Sequence, residues 1–127
     1  MNITIRNWEK EDIPDLIQHA NNRHIWNNLA DGFPSPYTEL DAREFIERVQ
    51  NDSPRKILAI HFEGQTIGSI GIFPESDIHR KNAAIAYWIA EPFWGKGIAT
   101  QAVRLMLEYG FKTFDITRIY AKPFGFN

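Results

Sequence analysis

One stretch restricts the fold more than any other. The run Ala83-Ala84-Ile85-Ala86-Tyr87-Trp88-Ile89-Ala90 leads straight into Glu91-Pro92-Phe93-Trp94-Gly95-Lys96-Gly97, and a helical pattern starts at once. The run is apolar and suits a buried strand. From Gly97 to Phe114 the period becomes helical, with Ile98, Ala102, Leu105, Met106 and Tyr109 on one face. A helix that begins so abruptly leaves its first N–H groups without intrahelical acceptors, at the positive end of its macrodipole. Glycine lets the backbone approach an anion closely, and Lys96 adds a point charge. Together these are the elements of a phosphate site. A plain strand-to-helix connection would use the same glycines for turn geometry. The spacing is neither Gly-x-x-x-x-Gly-Lys-Ser/Thr nor Gly-x-Gly-x-x-Gly, so it is not a Walker loop or a dinucleotide fingerprint.

The rest of the chain reads as one sheet with helices. Ile3 and Ile5 alternate with Thr4 and Arg6 as a short strand. Asp12 caps a helix whose first turn tolerates Pro14 and whose stripe is Ile13, Leu16, Ile17 and Ala20. Residues 21–37 read as a short helix and a loop. Thr38 with Asp41 resembles a capping box for a helix over 39–51, striped by Ala42, Phe45, Ile46 and Val49. Ile57–Phe62, the turn Glu63-Gly64-Gln65 and Thr66–Phe73 form a hairpin. Ala83–Ala90 is the next strand, and Ile116–Phe124 a last one. The order β-α-α-β-β-β-α-β is an α+β, or mixed α/β, arrangement.

The 127 residues are one domain's worth, 1–127. The net charge of −2 and the scattered basic residues exclude an overall basic field for nucleic acid. There is no cysteine, which removes disulfides, thiolate zinc sites and a Cys nucleophile. The four His (19, 24, 61, 79) lack metal-ligand spacing. The N-terminus has no apolar signal core. The longest apolar run is well short of the roughly 20 residues needed to cross a bilayer. A cytoplasmic protein with no membrane partner is the expectation.

The segment Ala86 to Thr100 strongly resembles the acetyl-CoA-binding motif of the GNAT N-acetyltransferase superfamily, in its RimJ/RimL-like branch. Ala102-Val103 and Arg118-Ile119-Tyr120-Ala121 are similar to that branch too. The superfamily pattern is Arg/Gln-x-x-Gly-x-Gly/Ala. Gly97 and Ala99 match its last two positions, while Trp94 stands where Arg or Gln is usual and costs one polar contact to phosphate. The resemblance implies a GNAT-like acyl-CoA N-acyltransferase fold, with a central, mostly antiparallel sheet flanked by helices. It implies that Trp88, Ile89 and Ala90 pair with the pantetheine amides. It further implies that Trp94, Gly95, Lys96, Gly97, Ile98, Ala99 and Thr100 cradle the pyrophosphate, and that a backbone N–H stabilises the oxyanion. In the family a helix and further strands follow the position of Asn127, so the resemblance also implies a domain truncated at its C-terminal part.

Several side chains near these elements are candidates for chemistry. Glu91 ends the strand, where it could orient or deprotonate an amine directly or through water; the residues themselves favour a solvated acid at a strand end before Pro92. In the family the region between the first helices shapes the acceptor groove, which makes Tyr37 and Trp26 candidate acceptor contacts, with core packing the alternative. Asp77-Ile78-His79-Arg80 lies where the family approaches acceptor, or is a surface turn. Ser35 lacks a His-Asp partner pattern. The expected function is transfer of an acetyl group from acetyl-CoA to a primary amine, on a protein N-terminus or a small molecule, by direct attack in a ternary complex and without metal. The alternative is a non-catalytic CoA-binding or interaction domain. An open strand edge near 116–124 would favour a homo-oligomer.

Overall fold

The computed structural model describes residues 2–20, 37–75 and 81–123. Trp26, Ser35 and the helix and loop expected over 21–36 lie outside the described residues, as does the whole of the 77–80 turn. The elements run β1 (Ile3–Asn7), α1 (Ile13–Ala20), α2 (Glu39–Gln50), β2 (Ile57–Phe62), β3 (Gln65–Pro74), β4 (Asn82–Ile89), α3 (Ile98–Thr113) and β5 (Arg118–Pro123). This is the α+β order that the sequence predicts, with element ends displaced by a residue or two.

The five strands form one sheet in the order β1-β2-β3-β4-β5. Each of the first three pairings is antiparallel, and β4 pairs β5 in parallel from Asn82↔Arg118 to Tyr87↔Pro123. Alternation along the strands divides the core in two. On one face Leu58, Ile60, Ile70, Ile72, Ile85 and Ile89 pack beneath Ile98, Ala102 and Met106 of α3. On the other, Ala59 meets Leu16 and Ala20 of α1 and Ala42, Ile46 and Val49 of α2, around the buried Trp8.

The capping box of α2 forms as read. Thr38 Oγ1 accepts from the Asp41 N–H at 3.2 Å, and Asp41 Oδ2 accepts from the Thr38 N–H at 2.9 Å. Asp12 is not the N-cap that the sequence suggests but the N3 residue of a capping box whose N-cap is Glu9. It sits in a short 3₁₀ turn (Lys10–Asp12) that leads into α1, and it is 2% exposed. Its carboxylate accepts two bonds from Arg6 at 2.9 and 2.8 Å, one from Thr66 Oγ1 at 2.5 Å, and one from the Glu9 N–H at 2.9 Å. The neighbouring Asp15 accepts from the Thr66 N–H at 2.9 Å. One buried charge thus ties β1, the start of α1 and β3 together.

Burial pushes the Asp12 carboxyl up, but the bonds from Arg6, Thr66 and Glu9 outweigh it and hold the group below its ordinary value. A depressed folded-state pKa stabilises the fold above the unfolded value, near pH 4, and that stability is lost as pH falls through the lower folded value. Asp12→Asn should therefore destabilise the chain by about 1–2 kcal/mol in urea unfolding at neutral pH, because the buried side chain loses its charge-assisted bonds while the partly exposed Arg6 is left to water. The variant should also lose less stability than the parent between pH 4 and pH 2.

Candidate functional site

The site is built at the C-terminal end of β4. The Ala90 N–H donates to the Ile67 carbonyl at 2.7 Å. In an antiparallel ladder backbone groups alternate sides, so residues 86, 88 and 90 address β3 while Tyr87 and Ile89 address the β5 side. Among the described residues the β4–β5 pairing ends at Tyr87↔Pro123, two residues before Ile89. The neighbouring strand makes room for this end of β4. A register slip between Ile60 and His61 leaves Ile67 as the extra residue on β3, beside Gly68. A Cβ on Gly68 would stand 2.3 Å from the Trp88 carbonyl oxygen, so the close approach of the two backbones requires glycine.

Beyond Ala90 the chain makes a 3₁₀ turn, Glu91–Phe93, closed by Phe93 N–H to Ala90 at 2.9 Å and Trp94 N–H to Glu91 at 3.0 Å. The Trp94 indole N–H then donates back to the Ile89 carbonyl at 2.5 Å, fastening the loop to the strand it left. Gly95 (φ 76°) and Gly97 (φ 77°) are both left-handed, a conformation that disfavours any side chain. A Cβ at either position would meet nothing within 4 Å, so both glycines face open space. The first bond back into α3 runs from the Gln101 N–H to the Gly97 carbonyl at 3.3 Å. The N–H groups of Ile98, Ala99 and Thr100 precede it and have no intrahelical acceptor. The first turn of α3 carries no acidic residue to occupy them.

A cavity of about 350 Å³ opens there. Gly95, Gly97, Ile98, Ala99 and Thr100 supply its polar backbone, and Tyr87, Ile89, Phe93, Trp94 and Val103 supply its apolar wall. Phe93 is held from behind by edge-on contacts with Phe62 and His19, ring centroids 5.9 and 6.3 Å away. His19 is itself buried, and burial pushes its pKa down, so it serves as a neutral packing ring. A phosphate fits this arrangement: it needs close backbone approach, unpaired donors and no competing carboxylate.

Ile89, Trp94, Gly95, Gly97, Ile98, Ala99 and Thr100 all line this cavity. Trp88 turns its side chain away, against the α1–α2 core, and Ala90 is buried. Lys96 is exposed at the rim of the loop. Glu91 is half-buried in the 3₁₀ turn and does not line the cavity. Tyr37 is 5% exposed and packs in the α1–α2 core, where burial and the nearby Asp41 carboxylate push its hydroxyl up to about 12. Among the described residues no group of three His, Asp or Glu side chains is placed to hold a metal ion, and no helix is long and apolar enough to cross a membrane. Three lining residues escaped the sequence reading: Tyr87, Phe93 and Val103. Strand parity with Ile89 and helical spacing from Ala99 were the signals for Tyr87 and Val103.

The profile of the acetyltransferase (GNAT) domain family matches residues 2–127. The chain is 28% identical over 128 residues to the uncharacterized N-acetyltransferase p20 of Bacillus licheniformis, across 94% of this chain and 68% of that protein. It is 24% identical over 119 residues to spermidine N(1)-acetyltransferase of Escherichia coli (strain K12), across 93% of this chain and 62% of that protein. Among solved structures, the Microcin C7 self immunity acetyltransferase MccE in complex with acetyl-CoA and AMP superimposes with a TM-score of 0.73 at 28% identity, over 92% of this chain and 67% of that one. The ribosomal L7/L12 α-N-protein acetyltransferase RimL, in complex with coenzyme A, gives 0.76 at 21% identity, over 94% and 69%.

The close packing of Gly68 on Trp88 carries a direct expectation. Gly68→Ala must force β3 and β4 apart at the end that aims the loop, an overpacking cost of about 1–3 kcal/mol. Calorimetric melting should show a lowered Tm for this variant, and Gly64→Ala, where a Cβ meets no atom within 4 Å, should lose only what its left-handed backbone costs.

Proposed function

The chain belongs to the GNAT acetyltransferase family, and from that premise we propose that it binds acetyl-CoA across the loop 94–100 and passes the acetyl group to a primary amine. The observation that carries this reading is the start of α3. Three backbone N–H groups and two left-handed glycines face a cavity at the end of β4, with no acidic side chain in the helix's first turn. A pyrophosphate there takes the N–H groups of Ile98, Ala99 and Thr100 and the positive end of the helix dipole. MccE, solved with acetyl-CoA, supports the choice of co-substrate.

The chemistry proposed is direct transfer. The neutral amine attacks the thioester carbonyl carbon, the carbon–sulfur bond breaks, CoA leaves as the thiolate, and the amine proton passes to solvent. The developing oxyanion requires a fixed donor. The parity of β4 directs the Ile89 N–H to the side where the acyl group would lie, while its carbonyl is already engaged by Trp94. Glu91 is assigned an auxiliary part, orienting the amine directly or through water. Spermidine in one relative and a protein α-amine in RimL share a primary amine, which is the acceptor class proposed here.

Calorimetry and turnover test the reading. Gly97→Val fills the open space at φ 77° with a branched side chain. CoA affinity should fall at least about tenfold, or about 1.4 kcal/mol. A folded variant with undiminished affinity would overturn the cradle. Glu91→Gln should lower turnover, on a panel of polyamines and N-terminal peptides, by less than the roughly 10²-fold expected of a positioned general base.

A further inference from the structure

Tyr87 lines the cavity from β4, and only 9% of its surface is exposed. Among the described residues its hydroxyl makes no hydrogen bond with the protein. The sealed and unpartnered side-chain atoms among the described residues are Trp8 Nε1, His19 Nε2 and Arg55 Nε, so the Tyr87 hydroxyl is open to the cavity, where an acceptor on a ligand can reach it. Burial alone raises its pKa, so the group stays protonated and presents an O–H throughout the physiological range. Its position along the strand selects what it can meet. Tyr87 shares a face with Ile89 and lies about 7 Å further from the loop, at roughly 3.3 Å per residue. The phosphate donors are at 98–100, so the hydroxyl addresses a different part of the ligand. The walls between are Ile89, Phe93 and Val103, apolar surfaces that match methylenes and amides rather than a further charged group.

We propose that the Tyr87 hydroxyl is a binding group for the pantetheine arm of the co-substrate, donating a hydrogen bond to an amide carbonyl oxygen of that arm. The proposal rests on the cradle reading above and adds to it a polar anchor that fixes how far the arm enters. It makes Tyr87 a positioning residue: with the pyrophosphate held at one point and an amide at a second, the thioester's distance from the Ile89 N–H is set.

The test is Tyr87→Phe in the full chain, titrated with CoA and with 3′-phosphoadenosine diphosphate, which has the pyrophosphate but lacks the arm. The ring is kept and no protein hydrogen bond is removed, so melting should be unchanged. CoA affinity should fall about three- to tenfold, the worth of one net hydrogen bond, while affinity for the diphosphate stays the same. Unchanged CoA affinity would overturn the proposal. So would an equal loss for both ligands, which would put the hydroxyl on the phosphates. A parent chain that binds neither ligand would overturn the cradle itself, an outcome distinguishable from both.

Discussion

The parallel pairing of β4 with β5 governs this structure. Two parallel neighbours cannot be joined by a hairpin; the chain must return to the starting end of the sheet through a crossover. Here α3 is that crossover, packed on the face formed by Ile60, Ile70, Ile72 and Ile85. The helix must therefore begin where β4 ends, so its unpaired N–H groups gather at the sheet's rim. The other pairings are antiparallel and place no comparable demand on their connections.

Everything around that junction serves its geometry. Gly68 and the slip beside Ile67 let β4 draw close to β3 at its last residues. The Trp94 indole turns the loop back onto Ile89, so the residue that replaces the family's usual Arg or Gln acts on the loop's shape. One residue along β3 from Ile67, at Thr66, the Asp12 carboxylate locks β1, α1 and β3 into one unit. The strand that carries the site is thus braced through its neighbour.

Much of this was legible in residue order because the governing signals are local. The change of period at Gly97, the glycines of the loop and the Thr38–Asp41 cap all lie within a few residues of what they determine. The Asp12 network was not legible, since Arg6 and Thr66 stand 6 and 54 positions away and nothing in the spacing links them. Tyr37 carried an ambiguous signal: an aromatic after prolines suits a groove or a core, and here its ring is buried with Trp8. Tyr87 was hidden by its surroundings, for a tyrosine within an apolar strand reads as packing until its hydroxyl is seen to lack a partner.

The donors proposed for the cradle at the start of α3 are peptide N–H groups, and peptides do not titrate. On that proposal the hold of those donors on an anion would be the same at pH 6 as at pH 9, apart from changes in the anion's own charge. An acceptor amine must shed its proton before it can attack. The pH dependence of turnover is thereby displaced from the donor half of the site to the acceptor half, and the shape of a rate profile reports on the amine and its surroundings rather than on how the donor is held.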